Sequence, residues 1–296
     1  MRLQKAITDS GLASRREAET LIQEGHVEVN GETIYHPAME IDPKKDLVTV
    51  DGDPLPKAQQ LYYFAYHKPK GLITSRNDPQ HRESVYDALP PLPVRVEAVG
   101  RLDLQTSGLL LFTNDGELAN QLTHPKKNVP KKYLVKVWKT PDQRRLNLLK
   151  NGVNLDDGRT KPMKLRITDE TDTQNAWIEV TVTEGRNRLI RRVFEHIGHP
   201  VSKLKRLSFA TISLGKLEAG EIRMLTGEEI QRLKDIANGI NPQNAGKQKK
   251  YKKGFAKPKP PKNKPLSKKR VQKHSKKPNN VQRENFSKSQ NNPPRK

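Results

Sequence analysis

Apolar residues Leu3 and Ile7 share one helical face, and Gly11 stands where such a helix would stop. Ser14-Arg15-Arg16-Glu17 has the form of a capping box, which predicts a second helix. Ala18, Leu21 and Ile22 fall on its inner side, Leu12 is a further candidate, and Gly25 marks its end. After Gly25 the period changes. Val27-Glu28-Val29 alternates as a strand, Asn30-Gly31 is a hairpin signal, and Leu47–Val50 reads as a further short strand before Asp51-Gly52. Residues 1–52 therefore form one small unit of two helices and short strands. Residues 53–61, with Pro54 and Pro56, read as a linker.

A second unit spans 62–237. Strands are predicted over Leu61–Tyr66, Val94–Val99, Gly108–Phe112, Tyr133–Trp138, Trp177–Thr183, Val201–Leu207 and Thr211–Leu214. Lys68-Pro69-Lys70-Gly71 is a turn, and Asn114-Asp115-Gly116-Glu117 can cap a short helix through Leu118 and Leu122. Leu189, Ile190, Val193, Phe194 and Ile197 have helical spacing, stopped by Gly198. A second capping box, Thr226-Gly227-Glu228-Glu229, opens a last helix with Ile230, Leu233 and Ile236 inward. Strands in runs, with few helices and little strict alternation, predict an α+β fold. Its central sheet would be mixed or antiparallel and flanked by helices.

Charge changes this picture at the C-terminus. The 296 residues carry a net +23. From Lys247 to Lys296 there are 19 Lys and Arg against one acid, Glu284, so +18 of the charge lies there and +5 in the first 246 residues. Residues 238–296, rich in Lys, Pro and Asn, are expected to be a disordered basic tail, too poor in apolar side chains to offset the entropy of ordering. A block this dense and one-signed fits a polyanion, and nucleic acid before a solubilising role. No apolar face accompanies the lysines, which argues against a membrane partner. The chain has no cysteine, which removes disulfides and thiolate chemistry. With no apolar stretch at the start and none of spanning length, a cytoplasmic protein is expected.

The candidate chemistry centres on Gly100–Gly116. Asp103 stands beside Arg101 on a short polar loop between two apolar runs, where a side chain can be held rigidly. Arg188 and Arg191, three apart on a helix after a Gly-Arg-Asn turn, are cations within reach of such a carboxylate. A two-carboxylate glycosidase built on Asp103 and Asp115 is set aside, because Asp115 is already explained as a cap. The histidines lack metal-ligand spacing, His196 and His199 read as structural, and no Gly-rich phosphate loop is present. Arg2, Lys5, Arg15 and Arg16 cluster on the first two helices. Arg15 and Arg16 stand in a first helical turn, where the macrodipole disfavours cations, which points to phosphate contact.

Two resemblances sharpen this reading. Arg2-Leu3-Gln4-Lys5, Gly11–Ala18 and Gly25–Gly31 resemble the S4 RNA-binding domain. Gly100-Arg101-Leu102-Asp103-Leu104-Gln105-Thr106-Ser107-Gly108-Leu109-Leu110-Leu111-Phe112-Thr113-Asn114-Asp115-Gly116 resembles the catalytic motif of RNA pseudouridine synthases. Specifically it is similar to the bacterial branch that modifies ribosomal RNA and carries an N-terminal S4 domain. Tyr66–Gly71, Ser75–Pro79, Lys131-Lys132-Tyr133, Glu184–Arg188 and Ile190-Arg191-Arg192 extend the match in the expected order. The resemblance implies an isomerase that detaches a uracil from its ribose, turns it and rejoins it through carbon, with no cofactor and no metal. It puts the catalytic aspartate at Asp103, the active-site tyrosine at Tyr133, and the basic residue contacting the aspartate at Arg191. It puts a pocket leucine at Leu214 or Leu217. RNA contacts are expected from Arg2, Lys5, Arg15, Arg16, Lys68, Lys70, Arg101, Arg186, Arg188 and Arg192. The implied partner is ribosomal RNA or a ribosomal assembly intermediate, met by a monomer. Large-subunit 23S RNA is favoured; 16S RNA, transfer RNA, or a non-enzymatic assembly role are the alternatives. Leu189 and Ala210 depart from the family pattern, which has a polar residue and a glycine there in many members.

Overall fold

A computed structural model describes residues 1–172 and 175–240; of the basic tail expected over 238–296, residues 241–296 lie outside the described residues. Helices α1 (Leu3–Asp9) and α2 (Arg15–Gln23) open the chain. The Ser14–Glu17 capping box is made in both directions. Strands β1 (Val27–Val29), β2 (Glu32–Thr33), β3 (Val48–Val50) and β4 (Asp53–Pro54) form an antiparallel sheet in the order β2-β1-β3-β4. Asn30-Gly31 and Asp51-Gly52 all have positive φ, the geometry that matches a two-residue hairpin turn to the twist of its strands. Leu3, Ile7, Ala18, Ile22 and Val27 are fully buried between helices and sheet. Two details differ from the sequence reading. Leu12 is about half exposed, because it lies in the turn ahead of the α2 cap rather than on the helix. Asp53–Pro54, expected in the linker, pairs with β3.

The second sheet is built from β5 (Tyr63–Lys68), β6 (Glu97–Ala98), β7 (Thr106–Thr113), β8 (Lys131–Trp138), and, after the short hairpin β9 (Asn154–Leu155) and β10 (Gly158–Arg159), β11 (Lys164–Asp172), β12 (Asn175–Val182), β13 (Val201–Phe209), β14 (Ile212–Ser213) and β15 (Ile222–Met224). Its order is β11-β12-β8-β13-β7-β5-β15, with β14 on β13 and β6 on β7. All these pairings are antiparallel except β13 with β7, so the sheet is mixed. The fold class is α+β, as expected.

Helices α3 (Gly116–Thr123), α4 (Gln143–Asn151), α5 (Leu189–His196) and α6 (Gly227–Ala237) pack on this sheet. Val193 and Phe194 of α5 and Leu146 and Leu149 of α4 meet Val135, Val137, Ile178 and Val180. Leu118 and Leu122 of α3 and Leu233 of α6 meet Leu109 and Leu111. The alternate β7 residues, Leu110 and Phe112, face a different cluster with Tyr66, Leu102 and Val85. β7 is therefore buried on both faces, which is why Leu109–Phe112 is unbroken apolar sequence rather than an alternating one. No helix among the described residues is long and apolar enough to cross a membrane.

The parallel β13–β7 pairing brings the strands that carry the candidate site together. Gly108 has φ +110, and a Cβ there would lie 2.3 Å from the Arg206 carbonyl oxygen. Only glycine lets β13 approach β7 at this register.

Candidate active site

Asp103 sits in the loop 99–105 that feeds β7, and the backbone around it is pinned from several sides. Thr106 N–H donates to the Asp103 carbonyl at 2.9 Å, and Gly71 N–H donates to the Leu104 carbonyl at 2.9 Å. Thr74 exchanges two hydrogen bonds with Leu102, its Oγ1 donating to the Leu102 carbonyl at 3.0 Å and accepting from the Leu102 N–H at 3.3 Å. Lys68 is fully buried at the end of β5, and its Nζ donates to the carbonyls of Pro69 and Thr106, each at 2.9 Å. Arg191 of α5 donates to the Gln105 carbonyl at 3.1 Å and the Val201 carbonyl at 3.3 Å. The Asp103 side chain itself is half-buried, and among the described residues it makes no ion pair within 4.0 Å.

These contacts revise two expectations. Arg191 does not grip the carboxylate of Asp103. Both of its outer nitrogens are taken by carbonyls at the starts of β7 and β13, so it clamps the loop backbone and meets Asp103 through the electrostatic field. Burial lowers the proton affinity of Arg191, the neighbouring Arg188 lowers it further, and the charge of Asp103 opposes both. Lys68 is not an RNA contact, because it has no surface to offer. Burial lowers its ammonium to about 8 from an ordinary 10.5, and Asp103 again opposes the shift. The acid is thus flanked by one buried and one half-buried cation that hold its loop.

Asp103 and Tyr133 line one cleft of about 650 Å³, together with Lys131, Leu204, Arg188 and Arg206. Tyr133 of β8 stands opposite Arg206 of β13, which in turn stands opposite Gly108 of β7. The three positions share a face of the sheet. Arg191 is not on the cleft wall. Neither is Leu214, which is buried with Leu109 and Leu111, nor Leu217 beside it; the β13 leucine that lines the cleft is Leu204. Ala210, which departs from the glycine expected there, takes φ +53, the left-handed region that favours glycine.

The expected RNA contacts divide by what holds them. Arg2, Arg15, Arg16, Lys70, Arg101 and Arg188 are exposed. Lys5 is exposed but paired with Asp9 at 2.8 Å. Arg186 and Arg192 are not free cations: both pair with Asp157 of the β9–β10 hairpin, at 3.2 and 2.7 Å, and Arg186 also pairs with Glu184 at 3.0 Å. The two guanidiniums hold the Asp157 carboxyl well below the usual range. These residues fasten the hairpin to α5, a structural task that the sequence reading did not separate from RNA contact. Asp115 caps α3 and accepts from the Tyr63 hydroxyl at 2.8 Å, in keeping with its exclusion as a second catalytic acid. His199 is buried against the carbonyls of Trp138 and Lys139, a structural histidine.

Among the cleft residues to which the sequence reading gave no role are Thr106, Lys131 and Arg206. Among the described residues, buried side-chain polar atoms without a partner occur at Tyr66 Oη, Thr106 Oγ1, Arg191 Nε and Arg206 Nη2. Two of these line the cleft and a third belongs to the clamp on its loop. Unmet polar atoms are rare in folded proteins and mark places where something other than stability is served. Lys131 donates to the Val129 carbonyl at 3.0 Å, and burial, then the charges of Arg206 and Lys161, lower its ammonium to about 8. A sequence signal existed for Arg206, a charge at an inward position of the strand shared with Leu204.

Comparison with known proteins fits this geometry. Residues 62–196 match the RNA pseudouridylate synthase family, and residues 1–48 match the S4 domain. The chain is 42% identical over 238 residues to the ribosomal large subunit pseudouridine synthase B of Bacillus subtilis, covering 80% of this chain and 97% of that protein. It is 41% identical to an uncharacterized RNA pseudouridine synthase of Aquifex aeolicus, covering 79% of this chain and 93% of that protein. A crystal structure of a pseudouridylate synthase superposes with a TM-score of 0.56 at 31% identity, covering 79% of this chain and 99% of that one. The pinned Asp103 loop, the cleft it opens on and these relatives agree: the chain belongs to the RNA pseudouridylate synthase family, with an S4 domain ahead of the synthase domain.

Proposed function

We propose that this chain converts a uridine of large-subunit ribosomal RNA to pseudouridine, and that it does so in the cytoplasm, as a monomer, on the RNA or on a ribosomal assembly intermediate. The observation that carries the substrate is its 42% identity with, and 97% coverage of, a large subunit synthase. In this reading Asp103 is the carboxylate that meets the nucleoside, as nucleophile or as the group that stabilises the opened sugar. The target must leave its stack to reach the cleft, at a cost of a few kcal/mol. Tyr133, half-buried on the wall, stacks on the extruded base or ribose and recovers part of that cost. Arg191 and Lys68 act on the chemistry by fixing the loop that carries Asp103, since a rigid acid needs no reorganisation when charge develops.

The polynucleotide is held elsewhere. Arg101, Arg188 and Lys70 near the cleft, Arg2, Arg15 and Arg16 of the S4 unit, and the basic tail supply salt-sensitive affinity for phosphates.

The test uses large- and small-subunit ribosomal RNA transcripts carrying tritium at uridine C5, a bond that must break when carbon replaces nitrogen at the ribose. Tritium release from the large-subunit RNA is expected, with little from the small-subunit RNA. Asp103→Asn, nearly isosteric, is expected to lose at least about 10⁴-fold in rate and to keep its RNA affinity within about threefold. Near-normal turnover by that variant would remove Asp103 from the chemistry, and release from the small-subunit transcript alone would move the substrate.

A further inference from the structure

Arg206 is a buried cation on the cleft wall whose contacts leave one of its donors unmet. It is 2% exposed. Its Nε donates to the Leu109 carbonyl at 2.6 Å, and its guanidinium carbon lies 5.3 Å over the Phe209 ring. Nη2 is shut off from solvent and meets no acceptor among the described residues. No described carboxylate forms an ion pair with Arg206 or with Lys131, which stands in the same cleft. Lys131 is affected: the charge of Arg206 helps to lower its proton affinity. A fold that needed only to fill this space would place an apolar residue here, as β13 does at Leu204 and Phe209. Burying a guanidinium with a donor left over is costly unless a ligand supplies the missing acceptor and charge.

We infer that Arg206 is a catalytic group of this enzyme, donating from Nη2 to a ring oxygen of the uracil while it is detached from the ribose. The inference rests on the synthase reading above and goes beyond it. When the N1–C1′ bond breaks, its electron pair leaves with the ring and spreads over N1, O2 and O4. The ring turns, C5 bonds to C1′, and the C5 proton is lost while N1 gains one, so nothing is consumed. Negative charge on the ring is greatest between those steps. A fixed, buried cation acts on that charge more strongly than on the neutral uracil of the starting nucleoside, and this differential is what accelerates a reaction. Depth selects the base over the phosphate. Arg101 and Arg188 line the same cleft and are exposed, where a polynucleotide backbone passes. Arg206 is buried, where only an inserted base arrives.

The experiment is single-turnover conversion by the full-length protein of large-subunit ribosomal RNA transcribed with uridine or with 5-fluorouridine. C-linked nucleosides are counted by mass spectrometry after nuclease digestion. Fluorine stabilises the ring anion by itself, so a group that stabilises that anion matters less on the fluorinated RNA; fluorine cannot leave C5 as the proton does, so the C-linked product of that RNA keeps its fluorine and takes up water across the C6–N1 double bond, and this hydrate is what is counted. Arg206→Gln is expected to slow conversion of uridine by at least about 100-fold, to leave RNA affinity within about threefold, and to show a deficit at least tenfold smaller on 5-fluorouridine. Arg206→Lys, which keeps the charge and loses the fork, is expected to show the same pattern with a deficit of about tenfold; it carries the comparison if the Gln variant lacks a cooperative thermal transition. Equal losses on the two RNAs would make Arg206 structural and overturn the inference. Weakened binding with a shallower salt dependence would make it a phosphate contact and overturn it as well. A wild-type protein that converts neither RNA would instead sink the assignment to large-subunit RNA, and with it this role.

Discussion

Single residues in this molecule are constrained most tightly where strands cross closely. Gly108, on β7 beside β13, and Ala210, in the turn that follows β13, test opposite sides of one rule. Gly108→Ala would place a methyl group 2.3 Å from backbone at a φ of +110, and neither the glycine nor the Arg206 carbonyl can yield without breaking the β7–β13 contact. A loss of at least about 3 kcal/mol in urea unfolding is expected. Ala210→Gly relieves a left-handed alanine worth about 1 kcal/mol and gives up one partly buried methyl group of similar value, so a change within about 1 kcal/mol is expected. A tolerated Gly108→Ala would mean that the two strands do not meet at this register. Lys68 supplies a pH signature. Its ammonium titrates at about 8 in the fold and near 10.5 in the unfolded chain, so between those values the unfolded state binds the extra proton. Stability from this group is therefore lowest below pH 8 and rises above it. Between pH 8 and pH 9.5 the unfolding free energy of the wild type should gain about 1–2 kcal/mol relative to Lys68→Met, measured by urea titration of both proteins. A constant difference across that range would mean that Lys68 is not desolvated.

Elements show why part of the fold was legible in the sequence and part was not. Both capping boxes, the glycine stops after α1, α2 and α5, and the Asn30-Gly31 hairpin carry their own local signals, and each formed where its residues said. Helix α4 went unread because only Leu146 and Leu149 of its residues are buried, too few to set a period among Arg, Asn and Lys. Strand β11 is an edge strand rich in charge, so its alternation is weak for the reason that edges are charged at all. Helix α5 shows the deeper limit. The spacing of Arg188, Arg191 and Arg192 was visible, but their partners lie on loops far away in sequence. Arg191 goes to Gln105 and Arg192 to Asp157, while Arg188, in a left-handed cap position, faces the cleft. The three arginines should therefore separate in RNA binding. Arg188→Ala is expected to lower the slope of log affinity against log salt by about 1, and Arg192→Ala to leave it unchanged while weakening thermal stability. Equal slopes in both variants would return Arg192 to the RNA surface.

Across the whole molecule, affinity and chemistry are assigned to different places, and the charge distribution separates them. The first 246 residues carry +5, and the exposed cations assigned to RNA among them lie in the S4 unit and around the cleft; 247–296 carry +18. Phosphate neutralisation acts on the ground state and on the transition state alike, so it raises affinity without speeding the chemical step. Asp103 and the residues that pin it make no contribution of that kind, since the loop's hydrogen bonds are internal to the protein. Removal of 247–296 should therefore weaken binding to large-subunit ribosomal RNA by at least about tenfold at moderate salt and flatten the salt dependence by several units. The rate at saturating RNA should stay within about threefold of the full chain. Asp103→Asn should give the mirror image, normal affinity and salt slope with no product. Filter binding across a salt series and single-turnover rates on both proteins separate the two. A truncated protein with an unchanged salt slope would remove the tail from RNA binding. One with normal binding and a lost rate would mean that the tail reaches the reacting nucleoside, because uniform electrostatic attraction cannot change a rate measured from the bound state.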